Sequence, residues 1–327
     1  MHCDIYSNSK FSIRAITLRR LRTPYERDFS LLFALQGKRV PAELARDVLI
    51  SSRRVLDESR LLAAFKHKSI VSVKEVRLCN DYVFWISEAV VGPDLPDRLH
   101  ALEKQGKGVD EIDASFMFGQ MLSAIGWLHS NRVIHRNISS HKWVFTGPDT
   151  WEVILVDFAS AAQLPESRSW YSENETGTDS MNIGSMYYTA PEILTSRCWS
   201  QASDVWALGV VLYETIFSGS MPFFSRKIKD LGRVILNSDP EWDPEEVSPA
   251  LAGLMAELLN KNPTKRPSIV QVAENPWVKD VEKATAGWIR ENSPPGSLRL
   301  VPSQRPLPQL GMPPITGSWW SSAKNYR

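Results

Sequence analysis

The residues able to do chemistry gather in two short stretches, VIHRNISSHKWVF (133–145) and ILVDFAS (154–160). Asp157 is a hard carboxylate of the kind that ligates magnesium. Lys142 and Arg136 are cations able to pair with an anion. Asn137 differs from both: its amide accepts a hydrogen bond but carries no negative charge and is no useful base. These types put a hard carboxylate, two cations and a neutral amide into two short stretches.

Such groups need a core to position them, and the composition supplies one: 327 residues, 43% hydrophobic and 10% aromatic. Two strand-like runs, 11–18 and 82–88, flank a helical pattern in which Leu56, Leu61, Leu62 and Phe65 line one face. They predict a small α+β lobe over 1–90, with an insert at about 22–50. Residues 110–130 read as an amphipathic helix and 205–217 as a nearly all-apolar, buried central helix. With further helical stretches to about Trp277, they predict a larger, mainly α-helical lobe over 91–278. Residues 279–327 turn Pro-rich and are expected to be a disordered tail, although Trp319 and Trp320 would suit a partner's groove.

Lys+Arg 38 against Asp+Glu 37 leaves a formal charge of +1, which removes the electrostatic reason to expect nucleic acid or an anionic membrane. Cys3, Cys79 and Cys198 are too scattered for a disulfide framework or a zinc site. No signal-peptide core and no run of about 20 apolar residues occurs, so a cytoplasmic protein is expected.

Four segments in order resemble those of eukaryotic Ser/Thr protein kinases. VIHRNISSHKWVF resembles the catalytic loop, ILVDFAS the metal-binding segment, YTAPE (188–192) the end of the activation segment, and SDVWALGVVLYE (203–214) the helix that follows. KNPTKRP (261–267) and ESRLLAAFKHKSIV (58–71) extend the resemblance across 11–277. The insert and the DVWALGVVLYETIF stretch with its MPF turn are loosely similar to calcium/calmodulin-dependent protein kinase kinases. No basic amphipathic helix follows Trp277, so the sequence does not support calmodulin binding. The resemblance implies the two-lobed kinase fold, α+β in class, with a nucleotide cleft.

It also implies roles. Asn137 falls at the catalytic Asp, and loss of a general base costs about 10²–10⁴ in rate. Lys142 falls at the Asn that holds a second metal, Ser139 at a γ-phosphate Lys, and Asp157 at the remaining metal ligand. The Lys142 ammonium either replaces that metal beside a phosphate or faces solvent in a collapsed site. Arg14, in FSIRAITL, matches the phosphate-binding Lys and would pair with Glu58; Lys38 competes for that place. Ala159, where the family has glycine, restricts the backbone. No G-x-G-x-x-G precedes these strands, which leaves two readings: an absent nucleotide lid or an incomplete sequence.

Weak or absent binding of ATP and Mg²⁺ is therefore expected, and a pseudokinase that regulates or scaffolds other signalling proteins or kinases. The alternative is an unconventional but active Ser/Thr kinase. Architectural positions are retained: His135, Phe158 and Leu62 as an apolar spine, Asp204 as an anchor of the catalytic loop, and Glu192 with Arg266 as a buried ion pair. Arg136 matches a receptor for a phosphate placed on Ser169, Ser172, Thr176, Thr178, Ser180 or Ser185.

Overall fold

Runs of β-branched and aromatic residues form four antiparallel strands near the N-terminus: β1 (Cys3–Asn8), β2 (Phe11–Thr17), β3 (Val73–Cys79) and β4 (Tyr82–Glu88). Their order in the sheet is β1–β2–β4–β3, so β2 has neighbours on both sides. Arg14 sits mid-strand, opposite Asp4 in β1 and Trp85 in β4. The computed structural model describes residues 3–8, 11–17, 66–79, 82–88, 90–158, 160–172, 183–243 and 245–279, all within one unit, Met1–Ala286. The helical pattern around Leu56 to Phe65, the 22–50 insert and the tail lie outside the described residues.

The second region is mainly helical, and polar side chains set its helix starts. Asp94 caps α1 (Leu95–Glu103) and Asp110 caps α2 (Glu111–Ser130), each accepting from the amide three residues on. After α3 (Pro191–Ser196), Ser200 and Ser203 form a reciprocal capping box on α4 (Gln201–Ile216). Then come α5 (Ile228–Asn237), α6 (Pro249–Leu258) and α7 (Ile269–Ala273), the last two capped by Ser248 and Ser268.

The apolar run reads through to the structure: every residue of α4 from Ser203 to Thr215 is buried. Trp206 of this helix stacks on Phe223 with ring centroids 5.4 Å apart. The α2 helix departs from its amphipathic expectation, because only Ile112, Ser123 and Ser130 are exposed. It is enclosed by α4, α7 and two short strands, so the polar side chains that mark its outer face are half-buried rather than solvated. No described helix is long and apolar enough to cross a membrane.

Three short strand pairs frame the site. They are β5 (Val133–Ile134) with β8 (Ala162–Gln163), β6 (Trp143–Phe145) with β7 (Val153–Leu155), and β9 (Trp170–Ser172) with β10 (Cys198–Ser200).

Candidate functional site

The loop between β5 and β6 carries Asn137, Ser139 and Lys142, and several anchors hold its backbone. One is Asp204 near the start of α4, which accepts from the His135 and Arg136 amides at 2.9 and 3.0 Å and from His129 Nε2 at 2.9 Å. Burial alone would raise the Asp204 carboxyl, but those donors and the nearby histidine charge outweigh it and hold it below the usual range. His135 is buried and its ring lies 5.1 Å from that of Phe158; burial is the main reason its imidazole is held below the ordinary value. The third spine residue, Leu62, lies outside the described residues, as do Glu58, Lys38 and Ala159.

Two residues here have left-handed backbones without being glycine: Arg136 and Asp157, each with φ 67°. Such conformations cost about 1–3 kcal/mol and persist where surroundings over-determine them. Asp204 grips the Arg136 amide, and Asp157 is held through its side chain.

Hairpin register explains that second grip. Trp143 of β6 lies opposite Leu155 of β7, and the Val156 amide donates to the Lys142 carbonyl at 2.9 Å. The residues flanking this end of the hairpin therefore meet, and the Lys142 ammonium forms a charge-assisted hydrogen bond with Asp157 Oδ2. The two side chains are 20% and 15% exposed, so the pair is sheltered but open on one side. Asp157 is the carboxylate proposed as a metal ligand, and a cation already occupies it. Among the described residues no group of three or more His, Cys, Asp or Glu is placed to hold a metal. One carboxylate paired with an ammonium does not fit a divalent ion that needs several hard oxygens.

Asn137 is half-buried, and its backbone N–H donates to His135 Nδ1 at 3.4 Å. Ser139 is buried just before a 3-10 turn, Ser140–Lys142, which its hydroxyl does not cap. The structure thus gathers Asn137, Ser139, Lys142 and Asp157 on one hairpin and its preceding loop; Arg14 belongs to the four-stranded sheet.

The sequence reading passed over a buried cluster beneath this loop. Ser140 Oγ donates to Glu214 Oε1 at 2.9 Å and lies 2.9 Å from the Tyr188 hydroxyl, which donates to Glu214 Oε2 at 2.7 Å. Burial pushes both the Glu214 carboxyl and the Tyr188 phenol up. Tyr188 and Glu214 each stand at the end of a segment already singled out, which was the available signal.

Arg136, matched above to a phosphate receptor, lies against β9 and β10. Its guanidinium lies over the rings of Tyr171 and Trp199, at 4.3 and 4.9 Å from their centroids, where β9 meets β10. Ser172 is buried and Ser169 exposed; Ser185 belongs to a 3-10 turn, Ile183–Tyr188; Thr176, Thr178 and Ser180 lie outside the described residues. Farther on, Arg266 grips Glu192 through two bonds of 2.8 and 2.7 Å, the buried pair expected of the larger lobe.

A two-lobed fold with this anchored loop, hairpin and central helix defines a class, and the family comparison agrees: residues 34–278 match the protein kinase domain model. The chain belongs to the eukaryotic Ser/Thr protein kinase family. That match includes Lys38 and begins after Arg14.

Among similar proteins, CDPK-related kinase 5 of Arabidopsis thaliana is 30% identical over 241 residues, 72% of this chain and 38% of that relative. Calcium/calmodulin-dependent protein kinase cmkA of Emericella nidulans is 29% identical over 243 residues, 72% of this chain and 55% of its own length. CBL-interacting serine/threonine-protein kinase 1 of Arabidopsis thaliana is 31% identical over 229 residues, 70% and 48% respectively. The chain thus spans between 38% and 55% of the length of these relatives.

Proposed function

We propose that this chain is a pseudokinase, a kinase-fold protein that regulates or scaffolds signalling and transfers phosphate weakly or not at all. The observation that carries this reading is the Lys142–Asp157 ion pair, which sets a cation where a phosphotransferase needs metal-ligating oxygen. Asn137 deepens the deficit, because an amide cannot take the proton of a substrate hydroxyl. Ser139 adds no charge to steady a phosphate. The anchors Asp204, Glu192 and Arg266 meanwhile keep the larger lobe folded, as a protein acting through its surface requires.

The partners proposed are other signalling proteins or kinases in the cytoplasm, and neither nucleic acid nor membrane. The sequence gives calmodulin no support as a partner, although one of the relatives above carries it in its name. The competing reading, an unconventional active Ser/Thr kinase, draws on the same Asp157.

Radiolabelled γ-phosphate transfer from Mg·ATP to a generic basic peptide tests the proposal. The native chain should label the peptide no faster than Asp157→Ala. Labelling that disappears in Asp157→Ala overturns the pseudokinase reading. The double change Asn137→Asp with Lys142→Asn should raise transfer by about 10²-fold or more if an upper lobe able to bind ATP stands above it.

A further inference from the structure

We propose that the working cation of this cleft is the Lys142 ammonium, and that the site takes the polyphosphate of a nucleotide without a divalent metal. The inference rests on the pseudokinase reading of the same site and names its ligand. Its first support is that Lys142 reaches Asp157 by construction. The β6–β7 register and the Val156–Lys142 backbone bond fix both residues at the same end of one hairpin, within reach of a lysine side chain, and the ammonium pairs there with the carboxylate.

The second support is charge. Asn137 and Ser139 are neutral, and Lys142 and Asp157 cancel. The four positions therefore present no excess of anionic oxygen to a dication. Magnesium holds its waters tightly and exchanges them for hard oxygens in octahedral array. To enter here it would have to displace an ammonium from the carboxylate and then sit beside that ammonium, with Coulomb repulsion strengthened by partial burial.

A nucleotide phosphate gains no net charge from this balanced pair, but it can use the ammonium donors that Asp157 leaves over. It is an anion, Lys142 is a compact point charge with three donors, and the pair is exposed enough, 20% and 15%, for a ligand to reach one side of the ammonium while Asp157 holds the other. Asp157 then orients the lysine and is itself a positioning residue, not a metal ligand. Its backbone is left-handed, φ 67°.

Calorimetric titration of the full chain with ATP and with ADP, once in EDTA and once in Mg²⁺, tests this. The expected result is binding in EDTA that Mg²⁺ strengthens by less than about threefold. Lys142→Met should weaken it by about tenfold or more, as loss of a charge-assisted contact implies. Lys142→Asn, which puts a carbonyl oxygen in place of the ammonium, should shift the preference toward Mg²⁺ and bind Mn²⁺ in a titration without nucleotide, where the native chain does not. Melting curves of both variants ensure that folded protein is compared.

Binding that requires Mg²⁺ in the native chain overturns the proposal. So does the absence of nucleotide binding in both conditions, or a Lys142→Met variant that binds as well as the native chain. These outcomes are separate from phosphate transfer: a chain that transferred phosphate yet bound ATP equally in EDTA would sink the pseudokinase reading and leave Lys142 as the cation.

Discussion

Glu214 is a carboxyl group surrounded by hydroxyls rather than by cations, with Ser140 and Tyr188 donating to its two oxygens. Burial raises its pKa above the ordinary 4.5, so the folded state holds its proton more tightly than the unfolded chain does. The sign of the stability effect follows: its contribution is full below about pH 4.5 and is lost as pH rises through the raised folded value. Replacing Glu214 with Gln removes the titration while keeping an acceptor. The melting temperature of the native chain relative to Glu214→Gln is therefore expected to fall as pH increases from 4.5 toward neutrality. A difference independent of pH, measured by calorimetry across that range, would contradict a buried, proton-holding Glu214. At the same scale, the Lys142 ammonium neutralises the Asp157 carboxylate, so the pair is close to charge-balanced.

At the scale of elements, two contacts decide how the larger region holds together. The α4 helix carries Gly209 where it crosses α6; a Cβ built there lies 2.8 Å from Leu258 Cβ and 3.1 Å from Leu259 Cδ2. Alanine is the better helix former by about 1 kcal/mol, yet the clash is with an atom fixed to the neighbouring backbone. Gly209→Ala is expected to destabilise by about 1–3 kcal/mol in denaturant unfolding, and a stabilising result would mean that the helices can slide apart freely. The second contact is the β9–β10 ladder with Arg136 across it. Arg132 holds the same segment by donating to the carbonyls of Pro165 and Arg168. Tyr171→Ala or Trp199→Ala removes one face of the aromatic clamp, a loss of about 0.5–2 kcal/mol. Tryptic cleavage after Arg168 should then accelerate by about two- to thirtyfold, since cleavage follows the open population. An unchanged rate would show that the ladder alone orders the segment.

At the scale of the whole molecule, near-balanced charge argues that recognition is local. With 38 basic and 37 acidic residues there is no net field to gather anions. The full chain is expected to pass through a heparin column at about 0.15 M salt, where surface charges are screened beyond about 8 Å. Retention would reveal a basic face concealed by the overall sum. The described residues include one region built by strand pairing and another by helix burial, and their different patterns explain how much could be read in advance. The nearly all-apolar run 205–217 pointed to a buried helix, and the structure buries every position from Ser203 to Thr215, its few polar residues included. The α2 helix misled, because half-burial of its polar side chains depends on neighbours that join from distant parts of the chain.

The amino-acid sequence by itself determined the family, the order of the site segments and the chemical types at Asn137, Ser139, Lys142 and Asp157, because each of these is local: a residue type in a short motif. It also put a lysine, Lys142, in the loop that resembles the kinase catalytic loop. Tertiary structure decided what those groups touch. Lys142 meets Asp157 through a hairpin register; Ser140, Tyr188 and Glu214, 48 and 74 residues apart along the chain from Ser140, share one buried cluster; Arg136 lies against Tyr171 and Trp199. The physical reason is that charge pairing, burial and ring contact depend on distance in space, and folding sets that distance between segments whose local patterns carry no record of one another.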